Sequence, residues 1–334
     1  MVISAALARD FSTAEFKGWA VASETQSALE SHAQHTRTVT VIGVPLDCGA
    51  SRPGARFGPQ VLRNAGLAQQ LAALGYAVSD FGDVAVTATY RDEPGGPDQP
   101  KNVRPVRDAN REIAAAVEAA MREQSFPVII GGDHSMAVGI LAGLARVNGP
   151  QGVIWVDAHA DLNTTKSSPS GNIHGMSMAA AFGQVTDLFP PPEFPNPSAD
   201  MRHCVFIGLR ELDPAEKRTI IEHDILCFTM SDIDQLGMGR VVELAIQRAS
   251  QGPRTVHVSF DIDCLDPTLA PGTGTPVRGG LTYREAHLVM EQLWRSGIAH
   301  SLEVSEVNPL LDEHNMTAKL ANELICSALG KSIL

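Results

Sequence analysis

Short runs of β-branched and other apolar residues alternate with longer amphipathic segments from residue 38 onward. Such a continuous apolar run is typical of a strand that is buried on both faces, and the segments between the runs are long enough for crossover helices. The pattern predicts a three-layer α/β/α domain with a mainly parallel central sheet. The predicted strands are 38–43, 127–130, 152–156, 204–208, 255–260 and 301–304.

The spacing of apolar residues between these runs predicts helices. The predicted helices are 59–74, 106–122, 135–146, 214–223, 239–251, 283–295 and 317–329. Two proline-rich stretches, 93–105 and 189–197, are predicted to be surface loops. Because no change of composition marks an internal boundary, we expect one domain over residues 38–334, preceded by an N-terminal extension over residues 1–37.

Composition narrows the possible partners and the compartment. The chain has 334 residues, and 38 acids against 26 Lys and Arg give a net charge of −12. That balance argues against a nucleic-acid partner, which needs clustered Lys and Arg. No stretch approaches the roughly 18 consecutive apolar residues of a membrane span, so no membrane partner is expected. Five cysteines without CxxC spacing or a secretory leader predict reduced thiols in the cytoplasm.

Three of the predicted strands end in clusters of Asp, His and Gly. The clusters are Gly131-Gly132-Asp133-His134-Ser135, Asp157-Ala158-His159-Ala160-Asp161 and Asp261-Ile262-Asp263. Ligands of open parallel sheets bind at the carboxyl ends of the strands. Residues two apart in an extended segment point to one side, so we expect Asp157, His159 and Asp161 to converge, and Asp261 to lie beside Asp263.

The aspartates and histidines of these clusters predict a dinuclear metal site. Four carboxylates in one cleft repel each other strongly unless cations neutralise them. A single cluster of this kind could equally be a capped turn, but three clusters together favour metal binding. Oxygen-rich ligation with a minority of imidazole and no thiolate favours Mn²⁺ over structural zinc. Cys264 follows Asp263, but alternation turns it away from that side, so we expect it to pack in the core.

These segments resemble the three metal-binding signatures of the ureohydrolase superfamily, which includes arginases, agmatinases and formiminoglutamases. The resemblance covers about residues 38–330 and is strongest to arginases. It implies an arginase-like catalytic domain that binds two Mn²⁺ per subunit at the carboxyl ends of the strands, in a homotrimer or homohexamer. The implied metal ligands are His134, Asp157, His159, Asp161, Asp261 and Asp263.

The resemblance also assigns a role to each ligand and a mechanism. Asp157 and Asp261 would bridge both ions, while Asp161 would share one ion with His134 and Asp263 the other with His159. A metal-bridging hydroxide would attack the guanidinium carbon, and the tetrahedral intermediate would collapse to urea and an amine.

Three residues are implied in catalysis. Asp161 would carry a proton to the leaving amine, His174 matches the proton shuttle of the family, and Glu306 would bind the guanidinium group. On the residues alone, His174 could equally be a loop histidine with a backbone partner, and Glu306 could be half of a surface ion pair.

Substrate choice depends on the residues that meet the far end of the guanidino compound. Counterparts of Asn163, Ser170 and Asn172 bind the α-carboxylate in arginases, although Asn, Ser and Gly are also common turn residues. Acids at the positions of Asp213 and Glu216 receive the α-ammonium. The substrate-binding residues implied are Asn163, Ser170, Asn172, Asp213, Glu216 and Thr275.

The expected function is therefore hydrolysis of L-arginine to L-ornithine and urea. The alternative is an agmatinase or another guanidino-acid hydrolase, such as a guanidinobutyrase, because a few positions near the site depart from the usual arginase sequence. Glu211, for example, follows Arg210 where arginases more often carry Asp. A remote alternative is a metal-binding homologue without turnover.

Overall fold

The described residues form one central sheet whose two faces are covered by helices, as seen in a computed structural model of the chain. The structure describes residues 38–86 and 100–332, so the predicted extension 1–37 lies outside the described residues. The strands are β1 (Thr38–Val44), β2 (Ala77–Asp83), β3 (Phe126–Gly131), β4 (Gln151–Val156), β5 (Ala199–Leu209), β6 (Leu226–Thr229), β7 (Val256–Asp261) and β8 (Ala299–Ser305). Their order is β2-β1-β3-β8-β7-β4-β5-β6, and all neighbours are parallel.

Helices connect the strands in the manner expected of parallel crossovers. The α-helices are α1 (Gly58–Asn64), α2 (Leu67–Ala73), α3 (Val103–Arg122), α4 (Ala137–Asn148), α5 (Ser177–Ala181), α6 (Pro214–Glu222), α7 (Met230–Leu236), α8 (Met238–Ala249), α9 (Tyr283–Ser296) and α10 (Met316–Ala328). Helices α3 to α6 cover one face of the sheet, and the others cover the opposite face. None of the helices in the described ranges is long and apolar enough to cross a bilayer.

Four of the six inner strands, β1, β3, β4 and β5, are apolar on both sides because each contributes to two cores, whereas β7 and β8 contribute to one. On β4, Ile154 and Val156 pack against one helical layer, while Val153 and Trp155 pack against the other. This two-sided burial explains why the strand reads as an uninterrupted apolar run rather than as an alternating one. The predicted three-layer α/β/α fold with a parallel sheet is confirmed.

Both edge strands were missed in the sequence. Strand β2 has the sequence AVSDFGD, with most of its side chains exposed, and β6 is only four residues long. An edge strand is paired on one side only and is less covered by helices, so it lacks the apolar signal of the central strands. The pattern therefore identified the six inner strands and neither of the outer two.

One predicted helix and the end of one predicted loop were also wrong. The predicted helix 59–74 is two helices, α1 and α2, because Gly66 adopts a left-handed backbone conformation (φ 86°) between them. The predicted loop 93–105 ends earlier than expected, since α3 begins at Val103 and Pro105 lies in its first turn, where proline is tolerated. Residues 93–99 lie outside the described part of the chain.

Strand order places the polar clusters together. The chain builds β1 to β6 first and then inserts β7 and β8 between β3 and β4. The four middle strands, β3, β8, β7 and β4, are therefore adjacent, and the segment that follows each one emerges at the same end of the sheet. The point in the sheet at which the strand order changes is where open α/β sheets bind ligands.

Gly132 provides a test of how tightly this end of the sheet is built. Its N–H donates to the Val44 carbonyl and its carbonyl accepts from the Glu306 N–H. A Cβ at this position would lie 2.1 Å from the Leu46 carbonyl oxygen, which is backbone and cannot rotate away. We expect Gly132→Ala to lower the free energy of unfolding by about 1–3 kcal/mol, measured by urea denaturation.

Gly239→Ala is the matched control. Gly239 lies in α8, and an added Cβ would meet no atom nearer than 3.6 Å. Alanine is the better helix former, so this variant should be as stable as the parent or more stable by about 0.5–1 kcal/mol. Equal stability of the two variants would contradict the steric argument.

Candidate metal centre

Two histidines and four aspartates lie together at the carboxyl ends of β3, β4 and β7. His134 Nδ1 is 3.1 Å from Asp157 Oδ2, 3.3 Å from Asp161 Oδ2 and 3.0 Å from Asp261 Oδ2. His159 Nδ1 is 3.4 Å from Asp157 Oδ1 and 3.2 Å from Asp263 Oδ2. Asp157 thus presents one oxygen to each histidine. Two groups, His134-Asp157-Asp261 and Asp157-His159-Asp263, each keep their donor atoms within 4.8 Å of one another.

The aspartates do not converge by strand alternation, as the sequence argument assumed. Strand β4 ends at Val156, and Asp161 adopts a left-handed backbone conformation (φ 49°) in the irregular segment beyond it. Asp263 lies in a 3-10 turn, Ile262–Cys264, where its N–H donates to Asp261 Oδ1 at 2.8 Å. Tight turns after the strand ends therefore aim these side chains. Cys264 is fully buried in the core, as predicted.

The carboxylates are buried and mutually repulsive. Burial, together with the charges of Asp263 and Asp157, raises the pKa of Asp261 well above its usual range. Burial and the charge of Asp157 likewise raise the pKa of Asp161 and of Asp263. Burial also acts to raise the pKa of Asp157, but the two histidines outweigh that effect and lower it. A buried acid cluster of this kind is stable as a set of carboxylates only beside compensating cations.

The donor set fits a hard divalent cation. It combines carboxylate oxygens from four residues with imidazole nitrogens from two, and it contains no thiolate. His134 is already oriented for such a role, since its Nε2 lies 2.8 Å from Ser259 Oγ and leaves Nδ1 facing the aspartates. Its ring also stacks on Trp155, with centroids 4.0 Å apart, and Trp155 Nε1 donates to Asp157 Oδ2 at 2.9 Å.

Trp155 and Ser259 were not singled out in the sequence. Ser259 lies two residues before Asp261 on β7, and Trp155 lies two residues before Asp157, which directly follows β4, so alternation could have placed both on the ligand side. The signal was present, but an apolar aromatic residue and a serine carry no metal-binding pattern of their own.

His174 and Glu306 form a second cluster beside the first. His174 Nδ1 lies 3.0 Å from Glu306 Oε1, which also accepts from the His134 backbone N–H at 2.9 Å. Glu306 is 2% exposed and adopts a left-handed backbone conformation (φ 59°), so the alternative of a surface ion pair is wrong. Its other oxygen faces Gly274, where an added Cβ would lie 3.5 Å from Oε2. Gly274 lines a cavity, so this oxygen lies next to that cavity.

A cavity of about 290 Å³ opens beside these clusters. It is lined by residues that include Ser51, Arg52, Asn172, His174, Glu211 and Thr275. Thr275 Oγ1 donates to Asp263 Oδ2 at 3.0 Å, which joins the cavity wall to the acid cluster. Three of the predicted site residues, Asn172, His174 and Thr275, therefore meet at one cavity.

The other predicted substrate residues are not among those that line this cavity; Asn163, Asp213 and Glu216 form a separate network, and Ser170 contacts Asn172. Asn163 Nδ2 donates to Asp213 Oδ2 at 2.8 Å. Glu216 Oε2 accepts from the Asp213 N–H at the start of α6, and its Oε1 accepts from the Leu162 N–H in the segment after β4. Burial raises the pKa of Glu216 to about 7. Ser170 is exposed, and its Oγ accepts from the Asn172 N–H at 3.2 Å.

Comparison with known proteins agrees with this fold and site. The arginase family model matches residues 37–330. The arginase of Bacillus caldovelox is 44% identical over 298 residues, which is 89% of this chain and 100% of that protein. Its native structure at pH 5.6 superposes with a TM-score of 0.85 over 89% of this chain and 99% of that chain. A structure titled a hypothetical agmatinase from Burkholderia thailandensis is 28% identical with a TM-score of 0.69, covering 87% of this chain and 84% of that chain.

The fold and the site together define a ureohydrolase, a hydrolase acting on guanidino groups. Within that superfamily, the chain belongs to the arginase family. The family is metal-dependent, in agreement with the His and Asp groups described above.

The contact between His174 and Glu306 predicts an unusual titration in the metal-free protein. Burial acts to lower the pKa of His174, but the hydrogen bond and charge of Glu306 outweigh it and raise the pKa from 6.5 to about 9. The stabilisation from protonated His174 is therefore complete below about pH 6.5 and is lost as the pH rises through about 9. NMR titration of the His174 ring should give a midpoint near 9.

Glu306→Gln removes the charge that holds the proton while keeping the shape of the side chain. The His174 midpoint should then fall, and the loss of stability between pH 6.5 and 9.5 should become smaller than in the parent. An unchanged midpoint in this variant would show that Glu306 is not the cause of the shift.

Proposed function

We propose that this enzyme hydrolyses the guanidino group of L-arginine to give L-ornithine and urea. The observation that carries the proposal is a cavity of about 290 Å³ whose wall contacts the buried acid cluster through Thr275 and the Glu306 carboxylate through His174. A planar cation fits this part of the cavity, because carboxylates make charge-assisted hydrogen bonds to guanidinium groups. Relatives named arginase over nearly the whole chain support the same choice.

We propose that the acid cluster holds two Mn²⁺ per subunit. One ion would take His134 and Asp161, the other His159 and Asp263, with Asp157 and Asp261 shared between them. The position of Asp157, with one oxygen toward each histidine, supports a bridging role. When bound, such a pair of ions supplies a hydroxide nucleophile near neutral pH by lowering the pKa of coordinated water.

The residues beside the cluster would bind the guanidinium group and handle protons. Glu306 Oε2 would accept hydrogen bonds from the guanidinium nitrogens, since Oε1 is already engaged by His134 and His174. His174 lines the cavity, and Glu306 raises its pKa to about 9 in the metal-free protein, so it would deliver a proton toward the leaving amine. Asp161, buried next to His134 Nδ1, would carry the proton within the site.

The far end of the cavity favours a substrate that carries a carboxylate. Lys101 Nζ lies 3.4 Å from Oδ1 of Asn172, which lines the cavity. Within residues 38–86 and 100–332, no carboxylate forms an ion pair with Lys101. This charge attracts the α-carboxylate of arginine and repels the terminal ammonium of agmatine.

The neutral groups and acids nearby would complete recognition of the amino-acid end. Asn163, Ser170 and Asn172 would contact the α-carboxylate, and Thr275 would contact the substrate near the metal centre. Asp213 and Glu216 would receive the α-ammonium, with Asp213 the more available because both oxygens of Glu216 already accept backbone hydrogen bonds.

We also propose the setting in which the enzyme works. It would act in the cytoplasm as a homotrimer or homohexamer, without a nucleic-acid or membrane partner. The net charge of −12 supports the exclusion of nucleic acid, because binding to phosphates needs a surface rich in Lys and Arg.

A substrate panel tests the proposed activity. Protein stripped of metal and reloaded with Mn²⁺ should release urea from L-arginine with a kcat/KM on the order of 100-fold above that for agmatine or 4-guanidinobutyrate, since unpaired buried polar groups discriminate at least this strongly. The metal-free protein serves as the control and should be inactive. Preferred turnover of agmatine would favour the agmatinase alternative, and no turnover of any guanidino compound would favour a non-catalytic homologue.

Lys101→Gln tests the charge at the far end of the cavity. Removing this cation should lower kcat/KM for arginine roughly tenfold and leave that for agmatine unchanged or higher, because only arginine loses an attraction. Lys319→Gln, an equal charge change on the exposed surface of α10, is the control and should alter neither value. Equal losses for both substrates with Lys101→Gln would exclude a role in recognising the carboxylate.

A further inference from the structure

A buried file of polar residues runs along the sheet beneath the acid cluster. On β7 it consists of His257, Ser259 and Asp261, and on β8 of Ser301, Glu303 and Ser305. These residues alternate with apolar ones, and the pairing of β7 with β8 sets Ser259 opposite Glu303 and His257 opposite Ser301. All six are at most 3% exposed. The file reaches the proposed metal ligands through Ser259 and Asp261.

Glu303 is the unexplained member of this file. It is fully buried, and neither of its oxygens accepts a hydrogen bond from the described residues. Its closest polar neighbours are two imidazoles, since Oε1 lies 3.2 Å from His257 Nε2 and 3.8 Å from His134 Nε2. His257 is itself held from the other side, with Nδ1 2.8 Å from Ser301 Oγ.

Apolar packing gives no reason for a carboxylate at this position, where the nearest ionic partner among the described residues is His257. On the opposite side from β7, Glu303 pairs with Ile129 of β3, which belongs to an apolar core. Burying a carboxylate without full hydrogen bonding is unfavourable, and a neutral side chain of similar size would fill the same space. A residue that works against the stability of its own core is expected to serve the site.

We infer that Glu303 is a positioning residue for the proposed metal centre, acting through His134. A negative charge beside Nε2 favours the tautomer with its proton on that nitrogen, where it donates to Ser259 Oγ at 2.8 Å. Nδ1 then keeps its lone pair toward Asp157, Asp161 and Asp261. Groups behind a metal-bound histidine that fix its tautomer and ring orientation raise its strength as a ligand; here Ser259 accepts the hydrogen bond, and the charge of Glu303 lies 3.8 Å from Nε2.

The two proposed ions would therefore differ in the carboxylate that lies behind the histidine ligand of each. The ion beside His134 would be supported by a carboxylate that is fully buried. Behind His159 the nearest acid is Glu211, 3.5 Å from Nε2 but with a side chain that is 65% exposed, where water screens its charge. The effect of Glu303 should accordingly be confined to one of the two ions. This inference rests on the proposed function, because it requires that the cluster binds metal.

Binding of Mn²⁺ to the full-length, metal-free chain tests the inference independently of activity. The affinities are measured by competition with a chelator, and the pair of ions is detected by the exchange-coupled electron paramagnetic resonance signal. In Glu303→Gln, which keeps the shape and removes the charge, one ion should bind about 10–100-fold more weakly and the other should change little. At a Mn²⁺ concentration that fills both sites of the parent, this variant should show uncoupled Mn²⁺.

Two comparisons separate positioning from a structural role. Glu303→Asp keeps the charge on a shorter side chain and should retain most of the affinity lost in Glu303→Gln. The metal-free Glu303→Gln protein should melt at the same temperature as the metal-free parent or higher. Lower stability without any change in metal affinity, or equal weakening of both ions, would overturn the inference alone. A parent that binds no pair of ions would overturn the proposed metal centre as well.

Discussion

Repulsion among four buried aspartates is the constraint on which the rest of this structure depends. Their side chains lie around two imidazoles in a space from which water is largely excluded. Burial and neighbouring charges raise the pKa of three of them, so the cluster is under strain as a set of carboxylates. Hydrogen bonds from Trp155 and from turn N–H groups stabilise the carboxylates, and the donor set suits divalent cations.

The sheet topology makes such a concentration of charge possible. Inserting β7 and β8 between β3 and β4 brings four polar strand ends side by side, although they are separated by long stretches of sequence. Apolar cores on both faces of β3 and β4, and on one face of β7 and β8, hold the ends rigidly. The left-handed backbone conformations at Asp161 and Glu306 are tolerated in this frame, where each would otherwise cost about 1–3 kcal/mol.

Charge is also distributed along the cavity. Carboxylates dominate the end at which Thr275 contacts Asp263, while Lys101 lies beside Asn172. A substrate with a cation at one end and a carboxylate at the other is complementary to that arrangement, and a diamine-like compound is not. This distribution of charge distinguishes arginine from agmatine. The metal-binding signatures do not, because they are shared across the superfamily.

The sequence by itself determined the six inner strands and the residues of the acid cluster. Both are local signals, because an apolar run indicates a buried strand and the proposed ligands follow directly after such runs. The tertiary structure decided the two edge strands, the tight turns that aim Asp161 and Asp263, and the burial of Glu306 against His174. It alone brought Glu303 to His134, since their contact depends on strand order, and no local pattern of residues specifies which strands become neighbours.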